Sequence, residues 1–411
     1  MFWAEDDGIM SRRKTIIFLG DGMADEPMAE LGEKTPLQVA YTPGMDRIAR
    51  EGRSGSLLTL PAGFPTSSEV ANMSVMGCDL SAEYCGRGAL EAAGQGISLS
   101  ADDIAFRVNL TTVENGILQD FSGGRIATPE AILLIQALND HFGNSKIRFY
   151  PGLSYRNILV CSGSEFSARV KTDKPDDNHG QRVAEHLPSA MSPEGEITAA
   201  LLRRLIDEAT AVLTSHPVNQ RLKGGGRAMA NGIWPWSGGR AGALKRLKDK
   251  YGITGAVISA VDVITGLGRC LGLDVVPVPG ATGYIDTNYE GKAAAAIEAI
   301  KTHDFVYLHL EGIDEVSHEQ NLPLKIKAIE DFDARIICPV MQAVGPEANY
   351  AVLPDHPVPI RSGKHTRTPV PVSVRMPDLA PDGILAFNEV DCPRGSLGAM
   401  QGDGLMKVLF G

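Results

Sequence analysis

Hydrophobic and polar positions divide this 411-residue chain into three stretches. In the first, residues 15–20 (Thr-Ile-Ile-Phe-Leu-Gly) form an unbroken β-branched and apolar run, as expected of a strand covered on both faces. Thr42-Pro43 supplies a capping residue and a first-turn proline, which predicts a helix through residue 50. A second strand is expected over 54–60, a turn-rich loop over 61–68 and a short helix over 69–77 whose N-terminus lies at Ser68. In the middle stretch, residues 103–113 and 154–160 alternate like half-exposed strands, with a helix predicted at 129–142. Polar loops follow at 171–179, then a long amphipathic helix at 193–215. From about residue 245 strands and helices alternate again: strands at 255–259, 305–310, 349–353 and 370–374, helices at 261–270, 292–302 and 324–343.

Buried-type strands alternating with helices predict an α/β fold, a parallel sheet with helices on both faces. The middle stretch reads as an α+β unit inserted into it. The expected division is 1–82 with 245–411 for the outer domain and 83–244 for the insert.

Composition narrows the classes. Hydrophobic residues make up 43% and charged residues 22%, ordinary for a globular chain. A net charge of -11 argues against nucleic acid or an anionic membrane as partner. An anionic substrate stays compatible, because a metal and a few arginines reverse the field locally. Cys78, Cys85, Cys161, Cys270, Cys338 and Cys392 are scattered with no C-x-x-C pair, which reads as reduced thiols in a cytoplasmic protein. Residues 1–10 carry no apolar leader, and no apolar run approaches the ~20 residues of a membrane span.

The chemistry gathers just past the strand ends. Asp21 follows the first strand, Asp314 and His318 follow 305–310, Asp355-His356 follows 349–353, and His365 comes shortly after. Ligands of parallel sheets bind outside the carboxyl ends of strands, so three carboxylates and three imidazoles are expected at one edge. That mixed oxygen and nitrogen set suits Zn²⁺ or Mn²⁺. Asp314 and His318 are four residues apart and share one helix face. His309, inside a strand, is expected to be a packed core histidine. Ser68 is the nucleophile expected beside the metals, since a serine hydroxyl needs a base or a metal to react. Arg87, Arg107, Arg125 and Arg156 offer forked donors for an anionic group.

These motifs resemble the cofactor-independent (2,3-bisphosphoglycerate-independent) phosphoglycerate mutases, in their shorter archaeal-type branch. The resemblance covers nearly the whole chain. Residues 15–22 match the opening strand and metal aspartate, and 67–70 (Ser-Ser-Glu-Val) the motif around the phosphorylated serine. Asp314 to His318, Asp355-His356, and Lys364-His365 with the Thr-Pro-Val-Pro that ends at 371 match the remaining ligand motifs in order. The resemblance implies an alkaline-phosphatase-like domain carrying an inserted substrate domain. It implies two divalent ions, one held by Asp21, Ser68, Asp355 and His356, the other by Asp314, His318 and His365, with no bisphosphoglycerate. Ser68 would take the phosphoryl group of a small phosphorylated metabolite and return it to a different hydroxyl, while arginines of the insert grip the acceptor. The substrate contacts expected are Arg87, Arg107, Arg125, Arg156, Asn231, Trp236 and Lys364.

One departure opens a second substrate. Near Asn231 the archaeal-type mutases carry an aliphatic-arginine run, where this chain has Trp234-Pro235-Trp236, with Arg240 as the available basic substitute. The tryptophan version resembles a bacterial subgroup proposed to act as homoserine kinases. Phosphoglycerate and homoserine therefore both stand as acceptors, although no P-loop for a nucleotide is present.

Overall fold

The computed structural model describes residues 13–84, 86–240, 242 and 244–411. Cys85 and residues 1–10, read above for a thiol and a leader, lie outside them. The chain forms two compact units, residues 1–82 with 244–411, and residues 83–243.

The first unit is built on eight strands. Across the sheet they run Asp274–Val275, Gly255–Ile258, Phe305–Leu310, Thr15–Gly20, Asn349–Pro354, Val370–Arg375, Arg53–Leu58 and Gly398–Gln401. All pairs are parallel except those of Val370–Arg375, which runs against both neighbours. That reversal departs from an all-parallel expectation. Residues 355–369, which lead into the strand, contain no helix, so no crossover carries the chain back to the sheet's other end.

Ile16, Phe18, Val306, Leu308, Tyr350 and Val352 face one core with Ile48, Ala296, Ile300, Phe332 and Ile337 from three helices. Full burial of one such side chain contributes roughly 1.5–3 kcal/mol. Residues of the opposite parity, among them Tyr307 and His309, point to the other face, where Tyr307 bonds Asn72 of the helix Ser68–Val75.

Two local expectations change. The helix read at 324–343 begins at Leu322, capped by Asn321, and passes through a π-turn at Asp333–Ile337 before Cys338–Val344. Pro339 cannot donate a backbone bond and crowds the preceding turn, and the wider π-turn accommodates it. Thr42 makes no side-chain cap for Pro43–Arg50. Asp333 does so instead from the π-turn, accepting from Gly44 N at 2.9 Å and Met45 N at 2.7 Å.

In the second unit Asp103–Glu114 pairs antiparallel with Ile117–Asp120, Arg156–Ser162 and Gly232–Arg240, and Arg156–Ser162 also with Ile147–Tyr150. Residues 104–112 are buried without a break, so the strand is not half-exposed. Ile104 and Phe106 face the helices Thr128–Phe142 and Glu196–Ser215, while Ala105 faces Ala92 of the helix Arg87–Gly94. The Trp-Pro-Trp segment is a strand, with Pro235 opposite Val108. Arg240 donates to the carbonyls of Ala101 and Phe166.

Among the described residues no helix is long and apolar enough to cross a membrane. No disulfide joins the five described cysteines.

Candidate active site

Strand register builds the site. Gly20 is level with Leu310 on one side and Pro354 on the other. The next residues, Asp21, Glu311 and Asp355, therefore leave three adjacent strands side by side. Gly22 turns with φ +63°, and a Cβ there would meet Asp314 Oδ1 at 2.6 Å. Only glycine lets this turn close over the helix Gly312–His318. Its N–H donates to Asp355 Oδ1 at 3.1 Å.

Two groups of ligand-type atoms result. In one, His356 Nε2 lies 3.4 Å from Asp21 Oδ1, 3.4 Å from Asp355 Oδ2 and 3.2 Å from Ser68 Oγ. In the other, His318 Nε2 lies 3.2 Å from Asp314 Oδ2 and 3.0 Å from His365 Nε2, which is 3.6 Å from Asp314 Oδ1. The His356 and His365 rings stack at 3.8 Å between centroids and connect the groups. His318 Nδ1 faces the Gly363 carbonyl at 2.8 Å, which fixes a proton on Nδ1 and turns Nε2 toward Asp314 and His365.

Charge makes the arrangement costly as it stands. Burial, with Asp355, Glu311 and Asp314 nearby, pushes the Asp21 carboxyl well above its usual range. Burial and the charge of Asp314 push Asp355 up to about 8, against the bonds it accepts. Burial and the neighbouring His365 push the His356 imidazole far down, and burial with Lys292 takes His309 to about 3. For Asp314 burial acts upward, but donation from His318 and the charges of His365, His318 and His356 outweigh it and hold the carboxyl low. Asp21 Oδ1 and Asp314 Oδ1 are buried with no hydrogen-bond partner among the described residues. Crowded buried acids beside imidazoles, with two carboxyl oxygens lacking a hydrogen-bond partner, are what divalent cations complete, so the donor set fits a metal pair.

Ser68 opens its helix, and Asn72 one turn on donates to the Ser68 carbonyl at 2.9 Å and to Asp355 Oδ2 at 2.8 Å. Arg367 donates to the carbonyls of Leu60, Pro61 and Phe64, tying the loop before Ser68 to the segment that carries His365.

A family model described as 2,3-bisphosphoglycerate-independent phosphoglycerate mutase matches residues 49–219. A protein of that name from Methanosarcina acetivorans is 47% identical over 400 residues, covering 96% of this chain and 99% of that one. The chain belongs to this family. A relative from Geobacter sulfurreducens, named a probable enzyme of the same kind, is 45% identical over 404 residues, 97% of this chain and 99% of that one. Among solved structures, a protein from Pyrococcus horikoshii superposes with TM-score 0.82 at 28% identity, covering 97% of this chain and 96% of that one. The cofactor-independent phosphoglycerate mutase of Thermoplasma acidophilum gives TM-score 0.66 at 28% identity, covering 97% and 98%.

Within this family member Asp21, Ser68, Asp314, His318, Asp355, His356 and His365 come together. Of the expected substrate contacts, Arg87 and Arg107 share Glu91, and Trp236 lies beside them. Arg125, Arg156 and Lys364 are exposed. Both ends of the Asn231 amide meet Val113: Oδ1 accepts from Val113 N at 2.8 Å and Nδ2 donates to Val113 O at 2.9 Å. Sequence reasoning passed over three neighbours. His309 is buried in its strand as expected, yet Nε2 ends 3.0 Å from Asp21 Oδ2. Glu311 follows the same strand end, a signal available but unused. Asn72 carried none.

Proposed function

We propose that this chain interconverts 2-phosphoglycerate and 3-phosphoglycerate through a phosphorylated Ser68, without bisphosphoglycerate. The observation that carries the reading is Ser68 Oγ at 3.2 Å from His356 Nε2, at a helix start beside the buried, crowded acids Asp21 and Asp355. Relatives of 42–47% identity bearing the mutase name support the substrate. Asp21, Ser68, Asp355 and His356 would hold one divalent ion, and Asp314, His318 and His365 a second, with Mn²⁺ or Zn²⁺ suited to such donors. When bound, the pair would lower the pKa of the serine hydroxyl and balance the charge of the phosphoryl oxygens.

The chain's own groups supply the rest. Ser68 Oγ attacks the phosphorus as its proton leaves, and the substrate's C–O oxygen departs and takes up a proton. Backbone N–H groups in the first turn of the helix face the phosphoryl oxygens and favour their charge. Asn72 holds Asp355 and the Ser68 carbonyl in fixed relation through both half-reactions. The other hydroxyl of the bound glycerate then attacks phosphoserine, and Ser68 Oγ regains a proton. Water must stay out between the halves, or it would take the phosphoryl group. Arg87, Arg107, Arg125, Arg156 and Lys364 are the cations proposed for the substrate's anionic groups. Scattered cysteines with no disulfide among the described ones support a cytoplasmic setting.

The test is incubation of Mn²⁺-loaded protein with 3-phosphoglycerate, no bisphosphoglycerate present, while 2-phosphoglycerate is followed. Steady formation of 2-phosphoglycerate is expected. Release of inorganic phosphate alone, or transfer only to homoserine with a phosphoryl donor, would overturn the reading.

A further inference from the structure

A chain of hydrogen bonds crosses three strand ends of the first unit and stops at Asp21. The strands Gly255–Ile258, Phe305–Leu310 and Thr15–Gly20 lie side by side, with Ile258 level with Leu308 and Leu19 level with His309. Ser259, His309 and Asp21 therefore follow one another across the sheet. Val261 N donates to Ser259 Oγ at 3.1 Å. Ser259 Oγ lies 3.1 Å from His309 Nδ1, and His309 Nε2 lies 3.0 Å from Asp21 Oδ2. His309 and Asp21 are fully buried. Lys292 Nζ, buried as well, donates to the His309 carbonyl at 2.9 Å, so the backbone beneath the ring is also held.

A histidine that merely fills a core needs its nitrogens satisfied in any sense. Here the sense is set. Ser259 Oγ already accepts from Val261, and among the described residues its hydroxyl hydrogen has no acceptor except His309 Nδ1. A hydroxyl that donates to Nδ1 leaves the ring hydrogen on Nε2, facing Asp21. Glu311 and Asp355 also approach Asp21, but ionised carboxylates only accept. Glu311 Oε2 is 3.7 Å from His309 Nε2, beyond hydrogen-bond reach. With Oδ2 taken by His309, Oδ1 is left. It is buried, has no hydrogen-bond partner among the described residues and lies 3.4 Å from His356 Nε2.

We propose that His309, its tautomer set by Ser259, is a positioning residue that holds Asp21 by Oδ2 and aims Oδ1 at the divalent ion of Asp21, Ser68, Asp355 and His356. This deepens the two-metal part of the proposed function and rests on it. A carboxylate ligand left without such a donor rotates freely about its last bond, and the ion loses a fixed oxygen.

The experiment uses the full chain stripped of metal. Mn²⁺ is added while binding is followed by calorimetry and by the rise in melting temperature, and turnover is not needed. His309→Gln and His309→Asn carry the same amide and differ in reach. The longer amide extends to the place of Nε2 and can still donate to Asp21, whereas the shorter one stops near Nδ1 and meets only Ser259. One of the two Mn²⁺ ions should bind about 10–100-fold more weakly to His309→Asn than to wild type, the other ion being unaffected. His309→Gln should recover most of that loss. A merely structural histidine would lower the melting temperature of the metal-free variants and leave their Mn²⁺ affinities equal, and that result in folded variants overturns the proposal. So does a third Mn²⁺ ion that disappears with His309, since the ring would then be a ligand itself. If neither variant folds, Ser259→Ala and Ser259→Thr decide. Weaker Mn²⁺ binding by the first, restored in the second, upholds the role, and equal affinities overturn it. A wild-type chain that binds no Mn²⁺ overturns the metal reading and this role together. Affinities in the expected order without any 2-phosphoglycerate formed uphold the role of His309 and overturn only the mutase reading.

Discussion

Asn72 Nδ2 lies 2.8 Å from Asp355 Oδ2, across a sequence separation of 283 residues. The same amide nitrogen donates to the Ser68 carbonyl, and Tyr307 Oη donates to Asn72 Oδ1, so one buried side chain joins the helix of Ser68 to two strands. Asn72→Ala is expected to cost about 1–3 kcal/mol of stability, because Tyr307 and Asp355 each lose a buried partner. Turnover should fall by about 10²-fold through misplacement of Ser68 and Asp355. Thermal melting and steady-state rates with 3-phosphoglycerate check both.

Ser68→Ala removes only a half-buried hydroxyl, so the fold should persist with melting near wild type. Transfer should be lost. Intact-mass measurement after incubation with 3-phosphoglycerate should show a phosphoryl adduct on wild type and none on the variant. Normal turnover by the variant would end the phosphoserine mechanism.

Chelation should destabilise the first unit. Asp21 and Asp355 are fully buried and crowd one another, and a divalent ion is the natural counter-charge. Returning Mn²⁺ to about 100 times its Kd should restore about 2.7 kcal/mol. Melting curves with chelator, and again with excess Mn²⁺, test this; identical curves would argue against a resident cation.

Glu389 should give the fold a pH dependence of its own. Part of the residue reaches solvent, but its carboxyl is enclosed, accepting from Thr35 Oγ1 at 2.6 Å and Asp25 N at 2.9 Å. Burial raises it from 4.5 to about 7, against those bonds and the charge of Lys325. The folded chain therefore keeps a proton between these values that the unfolded chain releases. Stability from this group is complete below 4.5 and is lost as pH rises through about 7. Denaturant unfolding over pH 4.5–8 should show wild type losing stability relative to Glu389→Gln, which cannot ionise. A constant difference between the two would contradict this.

The residues of the candidate site were legible in the chain because they follow buried strands. Asp21, Asp314, Asp355 and His356 could be placed at one end of the sheet from strand periodicity alone, and Asp314 with His318 from helical spacing. Ser68 was legible from its place at a helix start. These are local signals, carried within a few residues by the alternation of side chains and the chemistry of caps.

Pairing across hundreds of residues was not legible, because a side chain's identity does not disclose its partner. His309 read as core and is buried, but strand register turns it onto Asp21. Asn231 read as a substrate contact, and both ends of its amide are held by Val113. Trp236 read as a substrate contact, and an antiparallel strand set it over Arg107. Asp333, not Thr42, caps the helix at Pro43, since a π-turn brings its carboxylate to the free N–H groups. Sequence by itself determined which strands are buried and which chemistry lies at their ends. Only the tertiary structure decided the register between those strands, and with it which oxygen or nitrogen meets which, because hydrogen bonds and buried charges are satisfied in three dimensions and not along the chain.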